Sequence, residues 1–172
     1  VIYSYHLDEL LETTFRKNGK YIDSEITKIG WILRSRLDNK AHAIDIKLIE
    51  LLDHLQDHFS ADQIEIISGY RSPELNKQLK DEGIGVASES LHMKGLAVDI
   101  HIDEVTEDIL AEYARTLKVG GVGYYPAQDF IHIDTGEIRN WDLPDKPNRQ
   151  LIAFKKGIEW KIVTNKNIYF PG

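Results

Sequence analysis

Two histidines and one aspartate have the types and spacing of a metal-binding set. His92 and Asp99 lie seven residues apart, and His132 follows farther along the chain. Two imidazoles and one carboxylate make three protein ligands, the number that a catalytic zinc takes when its fourth position is kept for water. A structural zinc usually has four ligands, often thiolates, and the chain has no cysteine. The set therefore indicates an open zinc site, and open zinc sites are most often hydrolytic.

Two predicted strands would bring the aspartate and the second histidine together. Residues 96–102 alternate between apolar and other side chains, which indicates a half-buried strand with Asp99 on its less apolar face. Residues 130–134 form a second short strand in which His132 shares a face with Phe130 and Asp134. If the two strands pair antiparallel, Asp99 and His132 can approach within cross-strand distance.

Three neighbouring residues would complete the arrangement. Gly95 allows the chain to turn, so that His92 can reach the same face as Asp99. Asp129 stands three residues before His132, where a carboxylate can reach a metal-bound water without binding the metal. Asp134 is expected to orient a ligand imidazole or to brace the sheet.

Other histidines are alternatives that the pattern does not favour. His54 and His58 are spaced like the helical zinc pair of metalloproteases, but that motif needs Glu where this chain has Leu55. We interpret them as the flank of an amphipathic helix. His101 shares a strand face with Asp99 and is the stronger rival, either supporting a ligand or lining the cleft. A single histidine near an apolar strand is more often a hydrogen-bonded residue than a ligand.

The remaining elements predict an α+β fold, with N-terminal helices packed on a small, mostly antiparallel sheet that carries the zinc site. Helices are predicted over residues 7–16, 23–37, 44–59, 73–79 and 107–117, and strands over 64–67, 96–102, 121–125 and 130–134. Trp160–Val163 is predicted to add an edge strand, and residues 84–89 a loop at the rim of the cleft. Gly120, Gly121 and Gly123 predict a tight turn and a close backbone approach near the site.

The composition limits the classes of protein to which the chain can belong. A chain of 172 residues is long enough for one domain with a core, and 42% hydrophobic and 28% charged residues are ordinary for a globular protein. A net charge of -7 argues against a nucleic-acid partner, whose binders usually have a basic patch. No run approaches the roughly 18 apolar residues of a membrane span. The absence of cysteine is compatible with an exported protein and with a cytosolic one.

Several motifs together resemble the zinc peptidases that cut peptidoglycan stem peptides. They are Ser68–Pro73 (SGYRSP), Ser90–Asp99 (SLHMKGLAVD), Gly120–Pro126 (GGVGYYP), Phe130–Gly136 (FIHIDTG) and Arg139–Trp141 (RNW). The family is that of the D-alanyl-D-alanine metallopeptidases, in the branch of murein endopeptidase K, and it is related to the hedgehog-type zinc fold. The resemblance covers about residues 3–141. We expect a single domain over residues 1–172, with residues 142–172 as a C-terminal extension of unknown role.

The resemblance implies a role for each matching residue. His92, Asp99 and His132 would bind one Zn²⁺ per chain, and Asp129 would be the general base. Many relatives have the longer Glu at the position of Asp129. Arg71 would act as a catalytic and substrate-binding residue, holding a substrate carboxylate or the developing oxyanion. Ser90 would bind substrate or support a ligand.

The implied function is hydrolysis of peptide bonds in peptidoglycan stem peptides or cross-links, by an endopeptidase or by a D,D- or L,D-carboxypeptidase. One alternative is an inactive zinc-containing module that binds the cell wall, and another is a structural domain of the cell envelope without metal. The expected location is exported, in the periplasm or cell envelope. No signal peptide is visible and Val1 stands first, so we expect a mature or trimmed form.

Overall fold

The structure contains four α-helices and twelve strands in the residues that it describes. The computed structural model describes residues 1–84 and 87–143, and the backbone of residues 152–156, 159–163 and 168–169. The helices are α1 (Asp23–Ile32), α2 (Ile46–Phe59), α3 (Pro73–Asp81) and α4 (Glu107–Leu117). The strands are β1 (Ile2–Ser4), β2 (Glu9–Leu11), β3 (Arg16–Lys17), β4 (Lys20–Tyr21), β5 (Ile64–Ser68), β6 (Ala97–His101), β7 (Gly121–Tyr125), β8 (Phe130–Asp134), β9 (Arg139–Asp142), β10 (Ile152–Lys156), β11 (Glu159–Val163) and β12 (Ile168–Tyr169). The predicted α+β class is confirmed.

A seven-stranded sheet in the order β2-β1-β5-β6-β8-β7-β9 is the central element. β1 pairs parallel with β5, and β7 pairs parallel with β9, whereas the other four pairings are antiparallel. The sheet is therefore mostly antiparallel, as predicted. Strands β6 and β8, which carry Asp99 and His132, are adjacent and lie in its middle.

The sheet has an apolar face and a polar face because side chains alternate along each strand. Val98, Ile100, Ile131 and Ile133 have no exposed surface and belong to one core cluster with residues of α2 and α4. The α4 helix packs against β7 and β8. Burial of this face fixes the register, since a slip of one residue would move the apolar side chains to the polar face. The polar face of the same strands is left for the candidate site.

Capping residues set the first turns of two helices. Asp45 precedes α2, and its side chain accepts a hydrogen bond from the Lys47 amide at 3.1 Å. Ser72 precedes α3 and accepts from the Leu75 amide at 3.2 Å, while Pro73 occupies the first helical position. The helices predicted at 44–59 and 73–79 are thus present with slightly different bounds, and the helix at 107–117 is confirmed.

The helix predicted over residues 7–16 is wrong. This region contains β2, which pairs antiparallel with β1. Asp8 has a φ of +53°, a left-handed conformation that a right-handed helix does not accommodate. Its carboxylate accepts a hydrogen bond from the Tyr3 hydroxyl at 2.9 Å. The chain therefore reverses at residues 5–8 and adds a strand.

The helix predicted over residues 23–37 is too long, because α1 ends at Ile32. Beyond that point the chain meets the turn after β5. The Leu33 carbonyl accepts a hydrogen bond from the Tyr70 amide at 2.7 Å. A Cβ atom on Gly69 would lie 2.4 Å from the same carbonyl oxygen. This close tertiary contact replaces the last predicted turns of the helix.

The C-terminal region contains a separate three-stranded sheet in the order β10-β11-β12. The predicted strand Trp160–Val163 lies within β11, the central strand of that sheet, so its assignment as an edge strand is wrong. The division into a domain and an extension after residue 141 stays a prediction. Among the described residues, no helix has the length and apolar character needed to cross a membrane.

Candidate active site

Asp99 and His132 face each other in the middle of the sheet. They are directly paired in the antiparallel register of β6 and β8, so their side chains leave the same face. The distance between Asp99 Oδ1 and His132 Nδ1 is 2.9 Å. The cross-strand approach predicted from the alternation is therefore present in the structure.

A short 3₁₀ turn, Leu91–Lys94, carries His92 to the same place. Ser90 opens the turn, and its hydroxyl accepts a hydrogen bond from the His92 amide at 3.3 Å. Gly95 closes the turn with a φ of +67°. A Cβ atom at Gly95 would lie 2.1 Å from the Ala43 carbonyl oxygen, so both the conformation and the space require glycine.

On the side of each imidazole that points away from Asp99, a hydrogen bond determines which ring nitrogen carries the proton. The Gly69 carbonyl lies 2.8 Å from His92 Nδ1 and can only accept, so this nitrogen carries the proton and Nε2 is left with a lone pair. Asp134 Oδ2 lies 3.0 Å from His132 Nε2 and in the same way leaves the lone pair on Nδ1. Two unprotonated nitrogens and a carboxylate oxygen therefore face one another.

This donor set fits a zinc ion. Asp99 Oδ1 lies 2.9 Å from His132 Nδ1 and 3.3 Å from His92 Nε2, and the two nitrogens are 3.2 Å apart. Ligand atoms about 2.0–2.1 Å from a tetrahedral zinc would be roughly 3.3 Å from one another. All three residues are buried. Three acceptors that face one another in a buried place require a positive charge between them, either a metal ion or a proton on one of the facing nitrogens.

Electrostatics keep Asp99 ionised. Burial by itself would raise the pKa of Asp99, but the facing His92 and His132 and the nearby Arg71 hold that pKa well below its ordinary value. Burial lowers the pKa of His92, which favours the neutral imidazole. Burial would also lower the pKa of His132, but hydrogen bonds with Asp134 and Asp99 outweigh it and raise that pKa.

Arg71 adjoins the cluster on the side of β5. Its Nη2 donates to Asp99 Oδ2, the carboxylate oxygen that does not face the imidazoles. Its Nε donates to Ser68 Oγ at 2.9 Å. The side chain is mostly buried and lines the cleft above the cluster. Arg71 thus holds Asp99 in position at the wall of the cleft.

Asp134 braces His132 from below. Both of its oxygens bind Arg139, at 2.7 and 3.1 Å, and Oδ1 also accepts from the amides of Gly121 and Gly136, each at 2.9 Å. A Cβ atom on Gly121 would lie 2.5 Å from Asp134 Oδ2 and 2.6 Å from Arg139 Nη1. Gly121 therefore lets Arg139 of β9 cross β7 to reach Asp134.

Gly123 permits a second crossing of the same kind. It is paired with His132 on one side and with Trp141 on the other. The Trp141 indole lies over Gly123, where a Cβ atom would be 2.4 Å from the ring, and its centre is 5.2 Å from that of His132. The indole Nε1–H donates to the Tyr125 hydroxyl at 3.0 Å. The close approach predicted for these glycines is present.

A cleft of about 240 Å³ opens over the cluster. Its floor contains the three candidate ligands, and Arg71 and Ser90 line it as well. The rest of the lining is an aromatic wall, residues of the loop before Ser90, and two further side chains: Tyr125, Phe130 and Trp141, then Ile84, Ala87 and Glu89, then Leu91 and Arg139. The loop predicted at 84–89 thus contributes to the rim, although Gly85 and Val86 lie outside the described residues.

Asp129 is not brought into this cleft. It is exposed and follows the 3₁₀ turn Pro126–Gln128 with a φ of +54°. His101 is also not among the residues that line the cleft. Its Nδ1 contacts Glu107 Oε1 of α4 at 3.0 Å. His54 and His58 contact Tyr113 of α4, as expected for a helix flank.

Three site residues have no role assigned by the sequence: Tyr125, Arg139 and Trp141. The alternation of Gly121, Gly123 and Tyr125 along β7 indicates one shared face. Arg139 and Trp141 belong to one of the motifs of the family resemblance, but β9 is too short to show an alternation, so their place at the site follows from the pairing of β9 with β7.

The sequence of the chain is similar to those of known peptidases. The peptidase M15 family whose model matches residues 1–141 is described as "Peptidoglycan L,D-endopeptidase MepK". The chain is 37% identical over 137 residues to the Escherichia coli (strain K12) protein of that name, covering 79% of this chain and 75% of the relative. A Haemophilus influenzae relative, a probable peptidoglycan L,D-endopeptidase MepK, is 36% identical over 135 residues, which cover 77% of this chain and 73% of the relative. No solved structure gave a significant match.

Proposed function

The chain belongs to the peptidoglycan L,D-endopeptidase MepK family of peptidases, and from this premise we propose that it is a zinc-dependent endopeptidase of peptidoglycan cross-links. The substrate is a peptide bond between an L centre and a D centre, as in the names of its relatives. The protein acts outside the cytoplasmic membrane, where peptidoglycan is found. One observation carries the proposal: three buried acceptors converge at the floor of an open cleft.

His92, Asp99 and His132 are the zinc ligands in this proposal. Bound zinc supplies an activated water at neutral pH and polarises the carbonyl to be cut. The Gly69 carbonyl and Asp134 hold the ligand imidazoles in the required tautomers.

Arg71 acts at the substrate. Its guanidinium is anchored on Asp99 and Ser68, and the side chain lines the cleft. A fixed fork of donors suits a carboxylate or a developing oxyanion. Ser90 stays at the cleft wall as a substrate-binding or supporting residue. The assignment of Asp129 as general base also stays a prediction. The alternative to be tested is Glu89, which is, apart from Asp99, the carboxylate residue among the described residues that line the cleft.

Defined muropeptide dimers would test the function directly. Zinc-loaded protein is incubated with dimers joined by an L,D or a D,D bond, and the products are identified by mass spectrometry. We expect monomers from the L,D dimer, no product after chelation and no product with His132→Ala. His58→Ala is the matched control and should be as active as the unmodified chain.

Two outcomes would contradict the proposal. Cleavage of the D,D dimer alone would contradict the bond assignment. Stoichiometric zinc without release of any product from dimers or sacculi would instead favour the inactive cell-wall-binding module.

A further inference from the structure

Tyr125 is the last residue of β7 and forms part of the aromatic wall of the cleft. Its ring stacks on Phe130, with centres 4.6 Å apart, and the two residues are paired across β7 and β8. The side chain is half-buried, and it lines the same cleft as His92, Asp99 and His132. The ring is therefore held in place while its hydroxyl reaches the cleft.

The hydrogen bond from Trp141 determines what this hydroxyl can do. The indole Nε1–H is only a donor, so at 3.0 Å the Tyr125 oxygen must accept. The hydroxyl proton is then free to be donated in another direction. Among the described residues no group accepts this proton, and Tyr125 lines the cleft that contains the candidate ligands. A tyrosine hydroxyl keeps its proton at neutral pH, and burial raises the pKa of Tyr125 further.

The position of Tyr125 complements that of Arg71. In the strand order β5-β6-β8-β7-β9, Arg71 follows β5 on one side of the candidate ligands, and Tyr125 ends β7 on the other. A carbonyl bound over the ligands would meet donors from both sides. Donors fixed in advance where negative charge develops stabilise a transition state more than a ground state.

We propose that Tyr125 is a catalytic residue whose hydroxyl donates a hydrogen bond to the oxygen of the scissile carbonyl as negative charge develops on it. This inference rests on the proposed peptidase function. Trp141 is a positioning residue, because its indole N–H occupies the oxygen of Tyr125 and directs the proton toward the cleft.

Steady-state kinetics on the L,D dimer with three variants test this role. Tyr125→Phe keeps the ring and its stacking but removes the proton, and should lower kcat roughly 10²-fold with little change in KM, the usual cost of one such donor. Trp141→Phe should give a smaller loss, since the Tyr125 hydroxyl remains. Tyr124→Phe is the matched control, because Tyr124 packs on the core side of the same strand, and its activity should be unchanged.

Binding provides a second readout. A phosphinate isostere of the scissile bond places an anionic oxygen where the oxyanion would be. By calorimetry, Tyr125→Phe should bind this isostere about 10²-fold more weakly, while zinc content and affinity for the product peptides stay unchanged.

The outcomes separate this inference from the proposed function. An unmodified chain that releases nothing from the dimer overturns both. An active chain with a Tyr125→Phe variant within twofold of its kcat overturns the role of Tyr125 alone. Loss of zinc from Tyr125→Phe, or equal weakening of isostere and product, would show a structural role and also overturn it.

Discussion

Asp99 and His132 are direct cross-strand partners, and their facing atoms Oδ1 and Nδ1 are 2.9 Å apart. Because β6 and β8 are fixed by a fully buried apolar face, the backbone positions of both residues are set by the core. Two of the three candidate ligands therefore start from backbone positions in the middle of the sheet.

Removal of any candidate ligand should abolish zinc binding. His92→Ala, Asp99→Ala and His132→Ala each leave two protein ligands, too few to hold the ion. Elemental analysis after dialysis should find about one zinc per chain in the unmodified protein and none in these variants. His54→Ala is the control and should keep its zinc. Stoichiometric zinc in the His132 variant would refute the ligand assignment.

The general base can be identified by comparing three carboxylates. If Asp129 is the base, Asp129→Asn should keep zinc and lose roughly 10²-fold or more in kcat. Glu89→Gln should then be active. Asp134→Asn should weaken zinc binding, because the amide oxygen is needed by the Gly121 and Gly136 amides and the NH2 group that then faces His132 Nε2 cannot accept from it. A fully active Asp129→Asn protein beside an inactive Glu89→Gln protein with bound zinc would transfer the role to Glu89.

Arg71 has two functions that substitutions can separate. Arg71→Lys keeps a charge beside Asp99 but loses the fork that contacts both Ser68 and the cleft. We expect it to retain zinc while kcat/KM falls at least 10-fold, the scale of about 1.4 kcal/mol in transition-state binding. Arg71→Ala should fall further. Activity of the lysine variant equal to that of the unmodified chain would exclude a bidentate role.

Gly123→Ala should displace Trp141. The new methyl group would lie 2.4 Å from the indole, so we expect a destabilisation of about 1–3 kcal/mol and a change in tryptophan fluorescence. Gly83→Ala is an informative control, since its Cβ would meet nothing within 4 Å but its φ is +75°. That variant should cost stability through backbone strain alone and leave the fluorescence unchanged. Unaltered fluorescence in Gly123→Ala would contradict the packing of the Trp141 indole over Gly123.

The Glu9–Arg34 pair should make stability depend on acid pH. Arg34 is nearly buried and binds both oxygens of Glu9, at 2.6 and 2.8 Å, and this hydrogen bonding lowers the pKa of Glu9. A lowered folded-state pKa stabilises the protein above the unfolded pKa of about 4.3, and the effect is lost as pH falls through the folded value. Urea unfolding should find Glu9→Gln less stable at pH 7, by about 1 kcal/mol or less because Glu9 is partly exposed.

The same comparison at pH 3 should find a smaller difference between Glu9→Gln and the unmodified chain. Glu12→Gln, an exposed neighbour, is the control. A difference that stays constant from pH 7 to pH 3 would mean that the ion pair is not its cause.

The centre of the site could be predicted from the sequence because strand geometry has a strict period of two. Alternation around Asp99 and around His132 was enough to place both on one face and to expect their pairing. The outer parts depend on contacts between distant segments. Arg139 and Trp141 reach the site only because β9 pairs with β7, and the N-terminal strand β2 depends on the left-handed turn at Asp8.

The pairing of β9 with β7 determines how much of the chain the site needs. A protein that ended soon after His132 would still contain all three candidate ligands and Arg71. It would lack β9, and with it the guanidinium that holds Asp134 and the indole that covers His132. The smallest fragment with a complete site therefore ends after Trp141, where the family match also ends.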